Sequence, residues 1–414
     1  VEFIKAVVHD RQYENCAKTN VSESVQMVQC LRRVCQWPIN SSNPANSGPH
    51  FIQILTKCKG DPDAKQFLQA MISQFCLVEG DLIMCISGRD LNGDEKTVMS
   101  NLSKILSQLE ETQTLGWEKA IRVDDTGLVK QLAVAAKFDE GKPNGPTAKA
   151  LLAFKTLYEL MKKAPKTVVR KLGNEGAGIC ALCTYHLKKH RTKLASLHSA
   201  PRDEEMKKAE VSLDMLGEVL GRAHLRQIKP FVKDAKKMTI LTDTLCGLIQ
   251  YQYTSCIRLV PKCLCLIQAA DPKKATIDRV SKHENAGLLA EALAKWFLRP
   301  DKISEVPVIK MVQEIYDCGS EDFFASSDQK MLFQILVQKL EELSDFPEDP
   351  VVSALVTCYH SMLHWEGYPT EKYYNEEGIG AVEQLLTEIG SRSEDYATLK
   401  AKATAVLTTL EKQS

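Results

Sequence analysis

Residues 147–187, TAKALLAFKTLYELMKKAPKTVVRKLGNEGAGICALCTYHL, decide the fold prediction. Ala150, Phe154 and Leu157 recur at three- and four-residue spacing, which predicts a long amphipathic helix. Pro165 breaks this pattern, and Val168, Val169 and Leu172 then predict a second, brief helix. The first part of the stretch is therefore a long helix followed by a short one.

A run of glycines ends the brief helix. Because glycine reaches positive φ at little cost, Gly173, Gly176 and Gly178 predict a sharp break in the chain. Ile179 and Leu182 then start a third apolar face. The order of long helix, turn, brief helix, glycine and next helix is typical of stacked helical hairpins.

This order resembles the armadillo family, in which a closing helix of the form A-L-x-x-L precedes a glycine and a helix of the form I-x-x-L. Residues 377–386 resemble the opening helix and residues 403–410 the closing helix, while residues 285–289 repeat the glycine entry. The resemblance implies an all-α fold, a right-handed superhelical solenoid of armadillo/HEAT-like repeats that serves as a binding scaffold. HEAT hairpins give the same pattern, so the repeat type stays open.

Apolar periodicity predicts further helices along most of the chain. They are expected within residues 1–35, 51–57, 94–109, 125–138, 203–220, 225–231, 240–248, 257–269, 308–315, 331–343 and 351–363. A basic, His-containing connection is expected at residues 188–201. Residues 257–269 are nearly all apolar and should lie in the middle of the stack. A loop rich in Ser, Asn and Pro at 40–49 separates a predicted N-terminal cap, residues 1–48, from an armadillo-like domain, residues 49–414.

The composition is that of a soluble globular protein, with 44% apolar and 26% charged residues. The formal net charge of zero hides an asymmetry. Residues 161–240 carry about ten more basic than acidic residues, and the segment from 301 onward about twelve more acidic ones. This pattern indicates either two differently solvated faces or a basic patch for an acidic partner.

Fourteen cysteines are scattered, several of them inside apolar helical runs, such as Cys246 and Cys358. Free cysteine packs as a small hydrophobe, so these residues predict core positions and a reducing compartment, the cytoplasm or nucleus. The sequence contains no run of eighteen apolar residues, so it predicts no membrane span. The sequence begins at Val1, and we expect it to be part of a larger protein.

One spacing suggests a metal site: Cys180, Cys183, His186 and His190 share one helix face. Four ligands on one continuous helix do not readily surround a tetrahedral ion, so we interpret them as core residues. A calcium-like loop starting at Asp90 lacks the glycine and the bidentate glutamate that such a loop needs. We therefore predict no metal and no cofactor.

Catalytic patterns are absent from the sequence. Cys256, Cys263 and Cys265 have no histidine nearby in sequence to activate a thiol. The glycines of residues 173–178 lack the preceding strand and the Lys-Ser/Thr of a phosphate-binding loop. The sequence shows no sustained alternation of apolar and polar residues of the kind that predicts strands, which argues against a parallel α/β enzyme fold. These observations predict that the protein is not an enzyme.

The resemblance also implies where a partner binds, because armadillo closing helices line an inner groove through the first and last positions of the pattern W-A-L-x-N. The corresponding positions here are Lys104, Gln108, Leu152, Thr156, Val211, Met215, Asp243, Gly247, Lys310 and Glu314. None is Trp paired with Asn, as nuclear-import adaptors have. The mixed, partly apolar character suits a helix or extended segment of a protein partner.

The basic residues of the chain suggest an alternative hypothesis for its function. A patch that could meet phosphates comprises Lys162, Lys163, Lys166, Arg170, Lys188, Lys189 and Arg191. Tyr185 is the only nearby aromatic residue for base stacking. The first hypothesis is therefore a non-enzymatic protein–protein interaction scaffold or adaptor. A nucleic-acid-associated module using residues 161–240 is the alternative.

Overall fold

The computed structural model describes residues 91, 94–111, 121, 127–137, 147–198, 200–271, 275–365, 374–392 and 396–413. Within these ranges every regular element is a helix. The chain divides into two compact units, Val1–Glu175 and Gly176–Ser414. The helices expected within residues 1–35 and 51–57 and the boundary at residue 48 lie outside the described residues, so the predicted domain division stays a prediction.

The described part of the first unit contains four α-helices: α1 (Glu95–Glu111), α2 (Leu128–Ala136), α3 (Ala148–Lys163) and α4 (Pro165–Leu172). Helix α3 packs against the other three. Thr147 caps α3 by accepting a hydrogen bond from the Ala150 amide at 3.2 Å. Gly173 ends α4 with a φ of 55°. The predicted long helix, brief helix and glycine break are therefore confirmed.

The second unit contains twelve described α-helices. They are α5 (Gly176–Leu194), α6 (Ala200–Arg222), α7 (Leu225–Val232), α8 (Ala235–Leu248), α9 (Thr254–Ala270), α10 (Ala275–Ser281), α11 (Ala286–Leu298), α12 (Glu305–Asp317), α13 (Ser326–Leu343), α14 (Pro350–Leu363), α15 (Asn375–Ser391) and α16 (Ala397–Gln413). The sequence analysis did not predict α10, whose seven residues are too few for a clear period.

These helices pack in two rows. In the closing row, α6, α9, α12, α14 and α16 each contact the next helix named. The opening row contains α5, α8, α11, α13 and α15, each packed against the closing-row helix that follows it in sequence. The short helix α10 contacts both α8 and α11. The second unit is thus built from stacked helical pairs.

One predicted connection is wrong. Residues 188–201 were expected to link two helices, but α5 continues to Leu194 and α6 begins at Ala200. Leu187 and Leu194, two turns apart on α5, are both fully buried. This packing extends the helix through a polar, basic sequence that lacks a strong helical pattern.

Helix α9 occupies the middle of the second unit, as its apolar sequence predicts. Residues 259–268 are all buried, and they include a lysine. Lys262 Nζ lies 3.0 Å from Glu218 Oε1 of α6 and 2.8 Å from Asp301 Oδ2, which precedes α12. Burial disfavours the charged amine, but the two carboxylates outweigh this effect and raise the pKa of Lys262.

The ion cluster continues on both sides of Lys262. Arg222 Nε donates to Glu218 Oε2 at 2.5 Å. Asp301 Oδ1 accepts hydrogen bonds from the Ser304 amide at 2.9 Å and from its hydroxyl at 2.7 Å. These contacts join α6, α9 and the connection from α11 to α12, so one polar network ties together three successive helical pairs.

Replacing Lys262 with methionine should destabilise the second unit by about 2–4 kcal/mol at neutral pH. The substitution leaves Glu218 and Asp301 without their buried cation, although their partial exposure lowers the cost of unpaired charge. Urea denaturation followed by circular dichroism measures this loss. Lys330→Met, at an exposed lysine of α13, is the control and should be near neutral.

The cost of Lys262→Met should shrink at low pH. In the intact protein, the Lys262 amine and Ser304 together hold the pKa of Asp301 below its ordinary value despite burial. The resulting stabilisation is present above the pKa that Asp301 has in the unfolded chain. It is lost as the pH falls through the lower pKa that Asp301 has in the folded protein. In the variant, protonation near pH 4 removes the uncompensated carboxylate charge. A cost that is equal at pH 7 and pH 4 would contradict the assignment.

Gly378 of α15 is packed against the buried ring of Tyr359, because a methyl group at this glycine would overlap the tyrosine hydroxyl. We expect Gly378→Ala to destabilise the protein by about 1–3 kcal/mol through overpacking. Gly380→Ala in the same helix meets open space and should instead stabilise it by up to about 1 kcal/mol. Denaturation midpoints test the opposite signs; equal effects would show that the close approach is unimportant.

Candidate interaction surfaces

Three helices of the closing row, α6, α12 and α14, carry side chains that are accessible to solvent, whereas residues 259–268 of α9 are buried. Exposed or partly exposed positions recur at helical spacing along these three helices: Lys207, Val211 and Asp214 on α6, Val306, Lys310 and Gln313 on α12, and Ser353, Thr357 and His360 on α14. Charged, polar and aliphatic groups are mixed among these positions. We call these nine residues the closing-row face.

Three of the predicted groove positions are accessible on closing-row helices, and their role in binding stays a prediction. Val211 and Glu314 are partly exposed and Lys310 is exposed, all on closing-row helices. Glu314 Oε2 accepts a hydrogen bond from Gln268 Nε2 of α9 at 2.5 Å, so one carboxylate oxygen is engaged inside the row. Met215 was placed with them, but it is fully buried and cannot contact a guest. Its position on α6 turns it toward the core.

Asp243 and Gly247 were assigned to the groove wrongly, because they lie on α8 in the opening row. Arg191 Nη1 of α5 donates to the Asp243 carbonyl at 2.9 Å. Gly247 is buried, and any side chain there would overlap the guanidinium of Arg191. The spacing of apolar residues does not distinguish an opening helix from a closing one, and the closing helix of this pair is α9.

The remaining groove positions lie in the first unit. Lys104 is exposed on α1, and the side chain of Gln108 lies outside the described residues. Leu152 is partly exposed on α3. Thr156 is fully buried, and its hydroxyl donates to the Leu152 carbonyl at 2.8 Å, so its assignment to an open groove is wrong.

The predicted basic patch is divided between the two units. In the first unit Lys162 pairs with Glu159 at 2.7 Å, while Lys163, Lys166 and Arg170 are at least partly accessible. In the second unit Lys188 and Lys189 are exposed. The assignment of Arg191 to the patch is wrong. Its guanidinium donates a hydrogen bond to the Asp243 carbonyl inside the second unit and does not form part of an open patch.

The cysteines and histidines of α5 whose spacing suggested a metal site were interpreted as core residues, and the structure agrees for the buried ones. Cys180 and Cys183 are fully buried, and His186 is nearly so. Burial lowers the pKa of His186 to about 4, which keeps the imidazole neutral at physiological pH. His190 Nδ1 lies 2.7 Å from Glu205 Oε1 of α6. Among the described residues, no group of three or more His, Cys, Asp or Glu side chains is arranged so that it could hold a metal ion.

The thiols of the central helices are also buried. Burial raises the pKa of Cys246, Cys256 and Cys263 to about 12. A thiol must lose its proton to act as a nucleophile, so these cysteines are unreactive at neutral pH. They pack as small hydrophobes, which confirms the interpretation of Cys246 as a core residue; Cys358 of α14 is likewise fully buried.

The sequence analysis missed one group of charges within its basic segment. Arg226 and Lys229 on α7, Lys233 after it and Lys236 on α8 are exposed, and none forms an ion pair with another described residue. Neighbouring members are three or four residues apart, a spacing that was available as a signal. We call these four residues the basic ridge.

Comparisons with known proteins give no family for this chain. No protein-family model and no curated protein matches the sequence. A solved structure titled "Circular tandem repeat protein with novel repeat topology and enhanced subunit contact surfaces" is 13% identical and covers 96% of this chain and 97% of its own, with a TM-score of 0.21. A score this low carries no argument, so the helical contacts themselves support the repeat architecture. Among the described helices, none has the length and apolar composition that crossing a bilayer requires.

Proposed function

We propose that the chain is a non-enzymatic scaffold that binds a segment of another protein along the closing-row face. The observation that carries this proposal is the row itself: α6, α9, α12, α14 and α16 contact one another in sequence. The proposed site extends over several helical pairs, and repeat proteins commonly use such extended surfaces for binding.

The chemistry of the face supports a protein segment as the ligand. Val211 and Val306 offer aliphatic contacts, while Lys310 and Asp214 offer charges of opposite sign. A helix or extended strand with alternating apolar and charged side chains matches such a surface. The buried ion cluster at Lys262 fixes α6 and α9 relative to α12, and so it keeps the helices that carry the face in position.

The armadillo type of the repeats is part of the proposal. Two groups in the second unit, α7–α8–α9 and α10–α11–α12, have a short helix followed by two longer ones. This order supports armadillo-like repeats over simple two-helix hairpins there. The pairs α13–α14 and α15–α16, as described, have the simpler order. The proposed right-handed superhelix and a location in the cytoplasm or nucleus stay predictions.

A display library of random peptides tests the proposal on the 414-residue chain. We expect selected peptides to bind the double variant Val211→Asp/Lys310→Glu at least tenfold more weakly, because it removes an aliphatic contact and reverses a charge on the face. Fluorescence anisotropy with each selected peptide measures the change. Both residues are accessible, so the helical content should be unchanged.

The matched control is Leu298→Asp/Lys330→Glu, which makes similar substitutions on α11 and α13 of the opening row. It should leave peptide binding within about twofold of the original. Equal losses in both double variants, or selected peptides that bind the closing-row variant normally, would reject this face as the binding site. Failure to select any peptide would reject the scaffold proposal.

A further inference from the structure

A pocket of about 420 Å³ opens in the second unit beside the basic ridge. Residues from the end of α7, from α8, and from the segments that end α9 and begin α10 line it. They are Val232, Lys233, Ala235, Met238, Thr239, Thr242, Asp271, Ala275, Thr276 and Arg279. Its volume lies within the range of sites that take small molecules or single side chains. The closing-row face is a separate surface, so this site is independent of the function proposed above.

The pocket combines an aliphatic wall with hydroxyl groups. Val232, Met238 and Ala275 supply the wall. Thr239 and Thr242 also line the pocket, and their side chains carry hydroxyls that can donate and accept hydrogen bonds. A ligand that presents both aliphatic and polar groups would match this lining.

Two cations, Lys233 and Arg279, are among the described residues that line the same pocket. Lys233 belongs to both the pocket and the basic ridge, and Arg279 lies in the lining with Nη1 at 3.3 Å from Asp243 Oδ1. Lys229 and Lys236 continue the ridge on either side of Lys233 without ion pairs to described residues. Among the described residues of the lining, Asp271 is the one carboxylate, and it accepts a hydrogen bond from Thr276 at 3.2 Å. The local charge is therefore complementary to an anionic ligand.

We propose that the pocket and the basic ridge together bind an acidic segment of a partner protein. One aliphatic side chain of that segment enters the pocket against Val232 and Met238. Glutamate or aspartate side chains on either side of it pair with Lys229, Lys233 and Lys236. Thr239 and Thr242 hydrogen-bond to the polar backbone at the anchored residue.

The lining favours a peptide over a nucleic acid. Single strands bind proteins through a basic groove together with aromatic side chains on which the bases stack. None of the described residues that line the pocket is aromatic. An aliphatic wall of this size instead matches a leucine, isoleucine or valine side chain, whose burial supplies affinity that charge pairing alone does not.

The test uses the 414-residue chain and a fluorescein-labelled peptide of five glutamates, one leucine and five glutamates. At low salt this peptide should bind at least tenfold more tightly than the same peptide with serine in place of leucine. Lys229→Glu/Lys233→Glu should weaken binding of the leucine peptide at least tenfold. Thr239→Phe, which fills the pocket and keeps the charges, should abolish the preference for leucine over serine.

The matched control is Lys330→Glu/Lys412→Glu, which changes the net charge equally at exposed lysines on α13 and α16. It should weaken binding less than twofold. An equal loss in this control would overturn the ridge as the site, and absence of binding at low salt would overturn the whole proposal. An eleven-nucleotide thymidine strand that binds as tightly as the peptide, with no preference for leucine over serine, would identify a general polyanion surface instead.

Discussion

The absence of a solvent face on the central part of α9 constrains the second unit. Residues 259–268 are buried on every side, so neighbouring helices must cover this helix completely. Lys262 lies in that stretch, and its charge requires carboxylates from two other helical pairs. An uncompensated charge at this depth would cost several kcal/mol. The hydrophobic effect thus brings the helices together, and the ion cluster fixes which groups meet.

Glycines occupy positions where a neighbouring side chain approaches a helix backbone closely. Gly217 of α6 lies against the methylene groups of Lys262, and Gly221 against Ile303. Gly247 performs the same role for Arg191 on the opening row. In each case the missing side chain leaves room for a long neighbour that crosses between helical pairs. Small residues and long cations are therefore used together in the packing, which leaves such cations as Arg191 unavailable to external ligands.

Much of the fold could be predicted, because an amphipathic helix carries its own period. The brief helix after Pro165, the break at Gly173 and the central position of α9 all followed from sequence. The candidate sites were less predictable. Thr156, Met215 and Gly247 satisfied a spacing rule, but whether such a position faces solvent depends on which neighbours cover it. The pocket near Thr242 could not be predicted, since its lining comes from four consecutive segments whose separation only packing sets.

By itself, the sequence determined that the described chain is helical, roughly where most of its helices lie, and that its cysteines on apolar faces are buried. Those properties depend on residues within a few turns of one another. Only the tertiary structure decided which helices form the closing row, that Arg191 and Lys262 are engaged inside the second unit, and that Arg226, Lys229, Lys233 and Lys236 form no ion pair with another described residue. The physical reason is that burial and charge pairing depend on groups distant in sequence, which are brought together only when the helical pairs stack.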